Sequence, residues 1–208
     1  MTHHGIPVIG ALLYLAGLAY AESLRLPHRL SRLRAPRSHK PKMATRLASE
    51  PMVVIATLVG VWVLPVAYTF TSMLDRFDYA LPAWTLFPAA TVLAISLLLR
   101  RKAQTALGPN WSCTVETSEE HVLVTGGVYA HMRHPLYASL VLWAAAQPLL
   151  LQNLLAGFAG AMAALLIWLI RVPREERMML ERFGDRYRQY MARTGRLLPR
   201  RRKDKEVT

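Results

Sequence analysis

Four stretches of this 208-residue chain carry no charge at all: Ile6–Ala21, Met52–Leu74, Ala80–Leu99 and Leu136–Ile170. That segregation constrains the fold more than anything else, because a helix needs about 20 apolar residues to cross a hydrocarbon core of ~30 Å. The last stretch, at 35 residues, is too long for one span and a little short for two full ones. Leu151-Gln152-Asn153 near its middle offers a polar turn, so it reads as two tightly connected helices. The first stretch differs from a signal peptide: MTHHG before it has no Lys or Arg, the apolar run is long, and no convincing small-residue cleavage site follows. The expected architecture is therefore an all-α integral membrane protein with about five transmembrane helices, a small cytoplasmic cap and a C-terminal helix.

Charge orients these helices. Of 26 Lys and Arg, eight lie in the loop 25–50, four between Arg100 and His134, and thirteen from Arg171 onward. Only Arg76 falls in the short connection Asp75–Tyr79, beside Asp75 and Asp78. The positive-inside rule then puts 25 of the 26 in the cytoplasm and the N-terminus outside. In a soluble domain the net charge of +13 would suggest nucleic acid. Here the arginines are juxtamembrane and scattered, and attraction to anionic headgroups accounts for them without nucleic acid. The single cysteine, Cys113, excludes an internal disulfide and any multi-cysteine zinc site.

Residues 1–102 read as a three-helix membrane region with the basic loop 25–50, and Gly60 and Pro65 predict a kink in its second helix. Trp62, Tyr68 and Trp84 stand near span ends, where amphipathic rings favour the interface. Residues 103–199 form a second region: an irregular Gly-, Pro- and Ser-rich segment, a hairpin over 135–171, and a helix over 174–194 in which Met178, Met179, Phe183, Tyr187 and Tyr190 recur at spacings of three and four. Residues 200–208 read as a polar tail.

The polar clusters sit at the two feet of the predicted hairpin, so both fall at one bilayer surface. Arg171 and Glu175 are four apart and share a helix face if the helix continues through Pro173. They are either a surface ion pair or a site in which Arg171 orients an anion and Glu175 meets a cation; charges at the membrane edge favour function. His134 precedes Pro135 at a helix start, whose early N–H groups suit an anion. His121, His131 and His134 have no companion ligands at zinc spacing, so no metal is expected. Gly126-Gly127 lacks both a G-x-G-x-x-G and a P-loop lysine; a tight turn or a close backbone approach is the reading. No nucleophile pattern of a membrane hydrolase stands out.

LGPNWS, HVLVTGGVYAHMRHPLY, RVPREE and FGDRYRQYMARTGRLLP together cover about Leu107 to Pro199. In their joint spacing they resemble the isoprenylcysteine carboxyl methyltransferases, with relatives among membrane phospholipid methyltransferases. The resemblance implies an enzyme using S-adenosyl-L-methionine in a pocket at the cytoplasmic membrane face. By position, His121, Val122, Leu123 and Val124 would line the cofactor largely through backbone. Tyr129 and the turn His134-Pro135-Leu136-Tyr137 would complete the pocket, Glu175 would bind the cofactor ammonium, and Arg171 would hold an acceptor carboxylate. Two departures stand out: CTVETSEE replaces a glutamine-containing stretch of eukaryotic relatives, and position 136 is leucine rather than a small residue. The resemblance favours an isoprenylcysteine-like lipophilic acid as acceptor. A phospholipid amine or another small lipophilic acceptor is the alternative, with Glu176 or Glu116 as weak candidates for the base an amine would need. A non-catalytic membrane scaffold or transport subunit is a third class, although transporters favour mid-membrane ionisable groups and inverted repeats, and neither appears. Heavy use of Ala, Leu and Arg suggests a bacterial inner membrane.

Overall fold

The computed structural model describes residues 5–27, 51–108 and 122–200. Among these residues six helices follow one another: α1 Gly5–Ser23, α2 Pro51–Phe70, α3 Leu86–Leu107, α4 Pro135–Leu151, α5 Leu154–Phe183 and α6 Asp185–Arg193. By length and apolarity α2, α3 with its lead-in from Ala83, and α5 can each cross a membrane, and α1 and α4 are shorter apolar helices. Ile9, Leu12, Ile55, Phe158, Met162 and Leu165 are exposed on the outside of the bundle while Tyr14, Leu93, Trp143 and Leu150 are buried inside it. Helices that are apolar on every face belong in lipid. The protein is an all-α integral membrane protein, as the charge-free stretches predict.

Inside a bilayer helices gain little from apolar burial, so close backbone approach and polar bridges decide the packing. Gly10 lets α1 lie against the Leu150 carbonyl, and Gly60 lets α2 lie against Ala159 of α5; a Cβ at either position would collide with backbone oxygen. The bridges are specific. Tyr14 donates to the Val61 carbonyl at 2.8 Å and accepts from Trp143 Nε1 at 3.1 Å. Ser96 of α3 donates to the Ser139 carbonyl of α4 at 2.6 Å.

Two π-turns interrupt the α-helical ladders, Val59–Val63 in α2 and Ile167–Arg171 in α5, and each ends two residues before a proline. In the first, the Leu64 N–H reaches back five residues to Val59. The next bond in that register would need an N–H from Pro65, which has none. The Gly60 carbonyl that it would have served instead accepts from Gln147 Nε2 at 2.9 Å. A side chain from α4 thus completes the α2 ladder, the kind of rescue a broken membrane helix requires.

The α4–α5 turn is where Gln152-Asn153 was expected to put it. Gln152 adopts the left-handed region at φ 49°. The Asn153 side chain caps α5 by accepting from the N–H groups of Leu155 and Ala156 at 3.1 and 2.9 Å. Its amide also donates to the Leu74 carbonyl and to Asp78, both at 2.8 Å, which clips the α2–α3 connection onto the hairpin.

One expectation is corrected. The helix predicted over 174–194 is not a separate element: α5 passes through Pro173, which the π-turn accommodates, and continues to Phe183. The break comes at Gly184, φ 51°, a conformation that residues with a Cβ adopt only under strain. Tyr68, near the end of α2, is 3% exposed and takes a packing role in the core.

Candidate functional site

The site is assembled where the feet of α4 and α5 meet the C-terminal segment. Proline opens α4 at residue 135, and the residues before it leave helical geometry, with His134 at φ −124° and ψ 60°. Their freed backbone groups pair with residues 195–200. Arg133 N–H donates to the Gly195 carbonyl at 2.8 Å and His134 N–H to the Arg196 carbonyl at 3.0 Å. In return the N–H groups of Gly195 and Arg200 both reach the His131 carbonyl at 3.1 Å.

Glu176 is the hub of this junction. It is 4% exposed, and its Oε1 accepts from Arg133 Nε at 3.0 Å and lies 3.3 Å from His134 Nε2. Arg196 closes the other side, with Nε at 3.0 Å from Oε2 and Nη2 bonded to the same oxygen. Arg133 Nη1 turns to the carbonyls of Met191 and Thr194, at 3.2 and 2.5 Å, and so closes the C-terminal end of α6 with positive charge. The bond to Glu176 raises the Arg196 guanidinium above its ordinary value, partial burial opposing. Glu176 is therefore a committed structural carboxylate, which removes it as a free base.

On the next face of α5 the predicted pair comes together around one ring. Tyr137 donates to Glu175 Oε2 at 2.6 Å, and its ring stacks on His134 with centroids 5.5 Å apart and planes 22° from parallel. Arg171 approaches the same tyrosine hydroxyl, and its Nε is buried without a hydrogen-bond partner. A buried guanidinium nitrogen with nothing to donate to is costly unless a ligand completes it. Tyr129 is 8% exposed; burial first, and then the charge of Glu175, raise its hydroxyl above the ordinary tyrosine value. Its carbonyl accepts from Tyr190 at 2.7 Å, and burial pushes the Tyr190 hydroxyl up to about 12 against the opposing charge of Arg133. Gly127, at φ 59°, makes the tight turn that the sequence suggested, close to Ala106 of α3.

His134, Pro135, Leu136, Tyr137, Tyr129, Arg171 and Glu175 thus share one region at the polar ends of apolar helices. Val122 is 65% exposed, and Leu123 lines a separate cleft with Arg186 and Arg193. His121, Cys113 and Glu116 lie outside the described residues, as does most of the basic loop. Among the described residues no group of three His, Cys, Asp or Glu stands ready to hold a metal ion.

Two residues were not singled out by sequence reasoning. Arg196 looked like one more juxtamembrane cation, and only its partner marks it. Gln104, near the C-terminal end of α3, is 4% exposed with both amide atoms unpartnered, a second incomplete buried polar group. A glutamine just after Arg100-Arg101-Lys102 carries no periodic signal that would have found it.

Residues 89–181 match the model of the isoprenylcysteine carboxyl methyltransferase (ICMT) family. Protein-S-isoprenylcysteine O-methyltransferase of Schizosaccharomyces pombe is 32% identical over 100 residues, 47% of this chain and 42% of that protein. Its namesake in Tribolium castaneum is 36% identical over 110 residues, 52% of this chain and 39% of the relative. The human one is 30% identical over 118 residues, 56% and 42% of the two chains. A solved structure of the eukaryotic intramembrane Ras methyltransferase ICMT superposes with a TM-score of 0.53 at 30% identity, covering 73% of this chain and 53% of that one. The chain spans about half the length of the relatives it matches, or less. The matched stretch runs from α3 to the polar end of α5, so the resemblance to this family that the motifs announced is shown, and it contains the whole Tyr137–Glu175–Arg171 cluster.

Proposed function

We propose, from the likeness to the isoprenylcysteine carboxyl methyltransferase family over residues 89–181, that the protein is an S-adenosylmethionine-dependent membrane methyltransferase acting on a lipophilic carboxylate. The observation that carries the reading is the cluster in which Tyr137 joins Glu175 and Arg171, with Arg171 Nε left without a partner. When bound, S-adenosylmethionine would supply a methyl group activated on a sulfonium sulfur. The residues present suit that cofactor. Glu175 offers a carboxylate for an ammonium, held in one rotamer by Tyr137, which the stacked His134 ring holds in turn. Arg171 offers a planar fork to an acceptor carboxylate, which is already ionised near neutral pH and needs no base. Val122, Leu123, Val124, Tyr129, Pro135 and Leu136 would form the remaining cofactor walls. The protein's contribution is then positioning and exclusion of water rather than proton transfer.

Arg171→Lys tests the acceptor. Lysine keeps the charge and loses the fork, so kcat/KM for a carboxylate acceptor such as N-acetyl-farnesylcysteine should fall at least tenfold, about 1.4 kcal/mol of transition-state stabilisation. Affinity for the cofactor should stay near wild type. Turnover found only with an amine lipid such as phosphatidylethanolamine, and surviving Arg171→Lys, would instead support a phospholipid N-methyltransferase.

The same reading puts the site on the cytoplasmic side of an inner membrane and the N-terminus outside, supported by 25 of 26 basic residues falling on one side. Reporter fusions at residue 77 should therefore read extracytoplasmic, and fusions near 40, 115 and 205 cytoplasmic. A cytoplasmic signal at 77 would reverse the orientation.

A further inference from the structure

A second concave site lies on the far side of the segment that carries Tyr129. It is a cleft of about 590 Å³ between residues 123–131, α6 and the C-terminal segment, within the size range of small-molecule sites. Its polar lining includes Thr125, His131, Arg186, Gln189, Arg193 and Arg200, and among the described residues no carboxylate contributes to it. Arg186, Gln189 and Arg193 recur at spacings of three and four, so α6 turns one face toward the cleft. Tyr187 is buried away from that face, and the buried Tyr190 also borders the cleft.

Two described acidic residues nearby are otherwise engaged. Asp185 pairs with Arg188 at 2.6 Å, and Glu176 is taken by Arg133, His134 and Arg196. Among the described residues neither Arg186 nor Arg193 makes an ion pair, while Arg200 spends one nitrogen on the Ala192 carbonyl at 3.1 Å. The positive-inside rule asks only that arginines be cytoplasmic. It does not ask that three of them and a histidine line one hollow beside neutral hydrogen-bonding groups. Like charges gathered in this way repel one another until an anion joins them.

The height of the cleft identifies the anion. Arg196 lies over the ring of Trp168, 5.3 Å from its centroid, and Trp168 belongs to the apolar part of α5. Leu198, two residues on, is 80% exposed. The segment that carries Arg200 therefore runs along the boundary between hydrocarbon and headgroups, where tryptophan and arginine are at home. We propose that this cleft binds the phosphate of an anionic phospholipid headgroup, the guanidinium forks of Arg186, Arg193 and Arg200 gripping its oxygens. The site is distinct from the cluster around Tyr137, none of whose members lines it, and shares only Leu123 with the proposed cofactor walls.

The test uses the full-length protein in a neutral detergent, titrated calorimetrically with three probes: dihexanoyl phosphatidylglycerol, dihexanoyl phosphatidylcholine and inorganic phosphate. Phosphatidylglycerol should bind at least tenfold more tightly than either of the others, and less tightly as salt is raised. The double substitution Arg186→Gln with Arg193→Gln should weaken it at least tenfold. Arg186→Lys with Arg193→Lys, which keeps the charge but not the forks, should weaken it by about threefold. Both double variants should keep the wild-type Tm without lipid and the wild-type response to S-adenosylhomocysteine. Equal binding of the two lipids, or binding of phosphatidylglycerol that the glutamine and lysine pairs both leave intact, would overturn the proposal and leave the arginines as topological signals. Inorganic phosphate binding as tightly as the lipid would make this a site for a free anion. Selective loss of S-adenosylhomocysteine binding in the double variants would assign the cleft to the cofactor, whereas absence of that binding already in the wild type would count against the methyltransferase reading alone.

Discussion

Glu176→Ala should destabilise the protein by about 3–5 kcal/mol, the penalty expected when one partner of a buried ion pair is removed and the others remain charged. Arg133 is the reason. Its side chain is 9% exposed, and without the carboxylate its Nε would be left in a dry junction. His134, 6% exposed, would lose the same partner, whereas Arg196, at 41%, can turn to water and should contribute less. The effect should appear as a large drop in Tm in detergent and in the yield of folded protein. A second substitution separates a buried-charge penalty from loss of packing: Arg133→Met combined with Glu176→Met should recover much of the loss, because an apolar pair of similar volume leaves no charge stranded. An unchanged Tm for Glu176→Ala would mean that the junction is wetter and looser than its geometry indicates.

Glu175→Gln should leave stability nearly untouched and weaken S-adenosylmethionine by about 1.5–3 kcal/mol, the worth of a hydrogen bond to a charged group. Glutamine keeps the shape and still accepts from Tyr137, so the ring stack of Tyr137 on His134 should survive. What disappears is the negative charge proposed to face the cofactor ammonium. S-adenosylhomocysteine retains that ammonium and should lose affinity comparably, while 5′-methylthioadenosine, which lacks the amino-acid moiety, should not. Calorimetric affinities unchanged for all three would reduce Glu175 to an acceptor for Tyr137 and remove the main support for the cofactor's orientation. The contrast between neighbours is the informative part: Glu175 should affect binding without folding, and Glu176 folding above all.

That contrast was out of reach of the linear pattern. RVPREE places two glutamates side by side, and on a helix adjacent positions point about 100° apart. A spacing of four puts Glu175 on the face of Arg171, but which glutamate meets Arg133 depends on the rotation of α5 about its axis. That rotation is set by contacts over long separations: Gly60 against Ala159, and Gln147 between α2 and α5. Gln147 itself is fully buried, yet one amide amid 35 uncharged residues does not interrupt a hydropathy pattern. Arg196 was hidden for a related reason. With 26 Lys and Arg and a strong topological bias, any single arginine reads as a headgroup contact until its partner is seen.

Other features were legible because they are local. Charge-free runs of membrane length predict apolar helices whatever their neighbours are, since lipid forces every backbone group to bond within its own segment. Gln152-Asn153 predicts a turn and a cap from one side chain's reach, and Gly127 a tight turn from the absence of a Cβ. The joint spacing of the motifs between Leu107 and Pro199 was enough for the family resemblance, because those short segments carry their meaning in order and distance along the chain. Sequence by itself thus determined the helices, the hairpin, the turn and the end of the bundle where the polar residues gather. Tertiary structure alone decided that α5 runs unbroken through Pro173, that Glu176 rather than Glu175 ties the junction together, and that Arg186, Arg193 and Arg200 line one cleft. Each of these depends on how helices rotate and where distant segments meet, and in a membrane a few glycines and buried amides settle that.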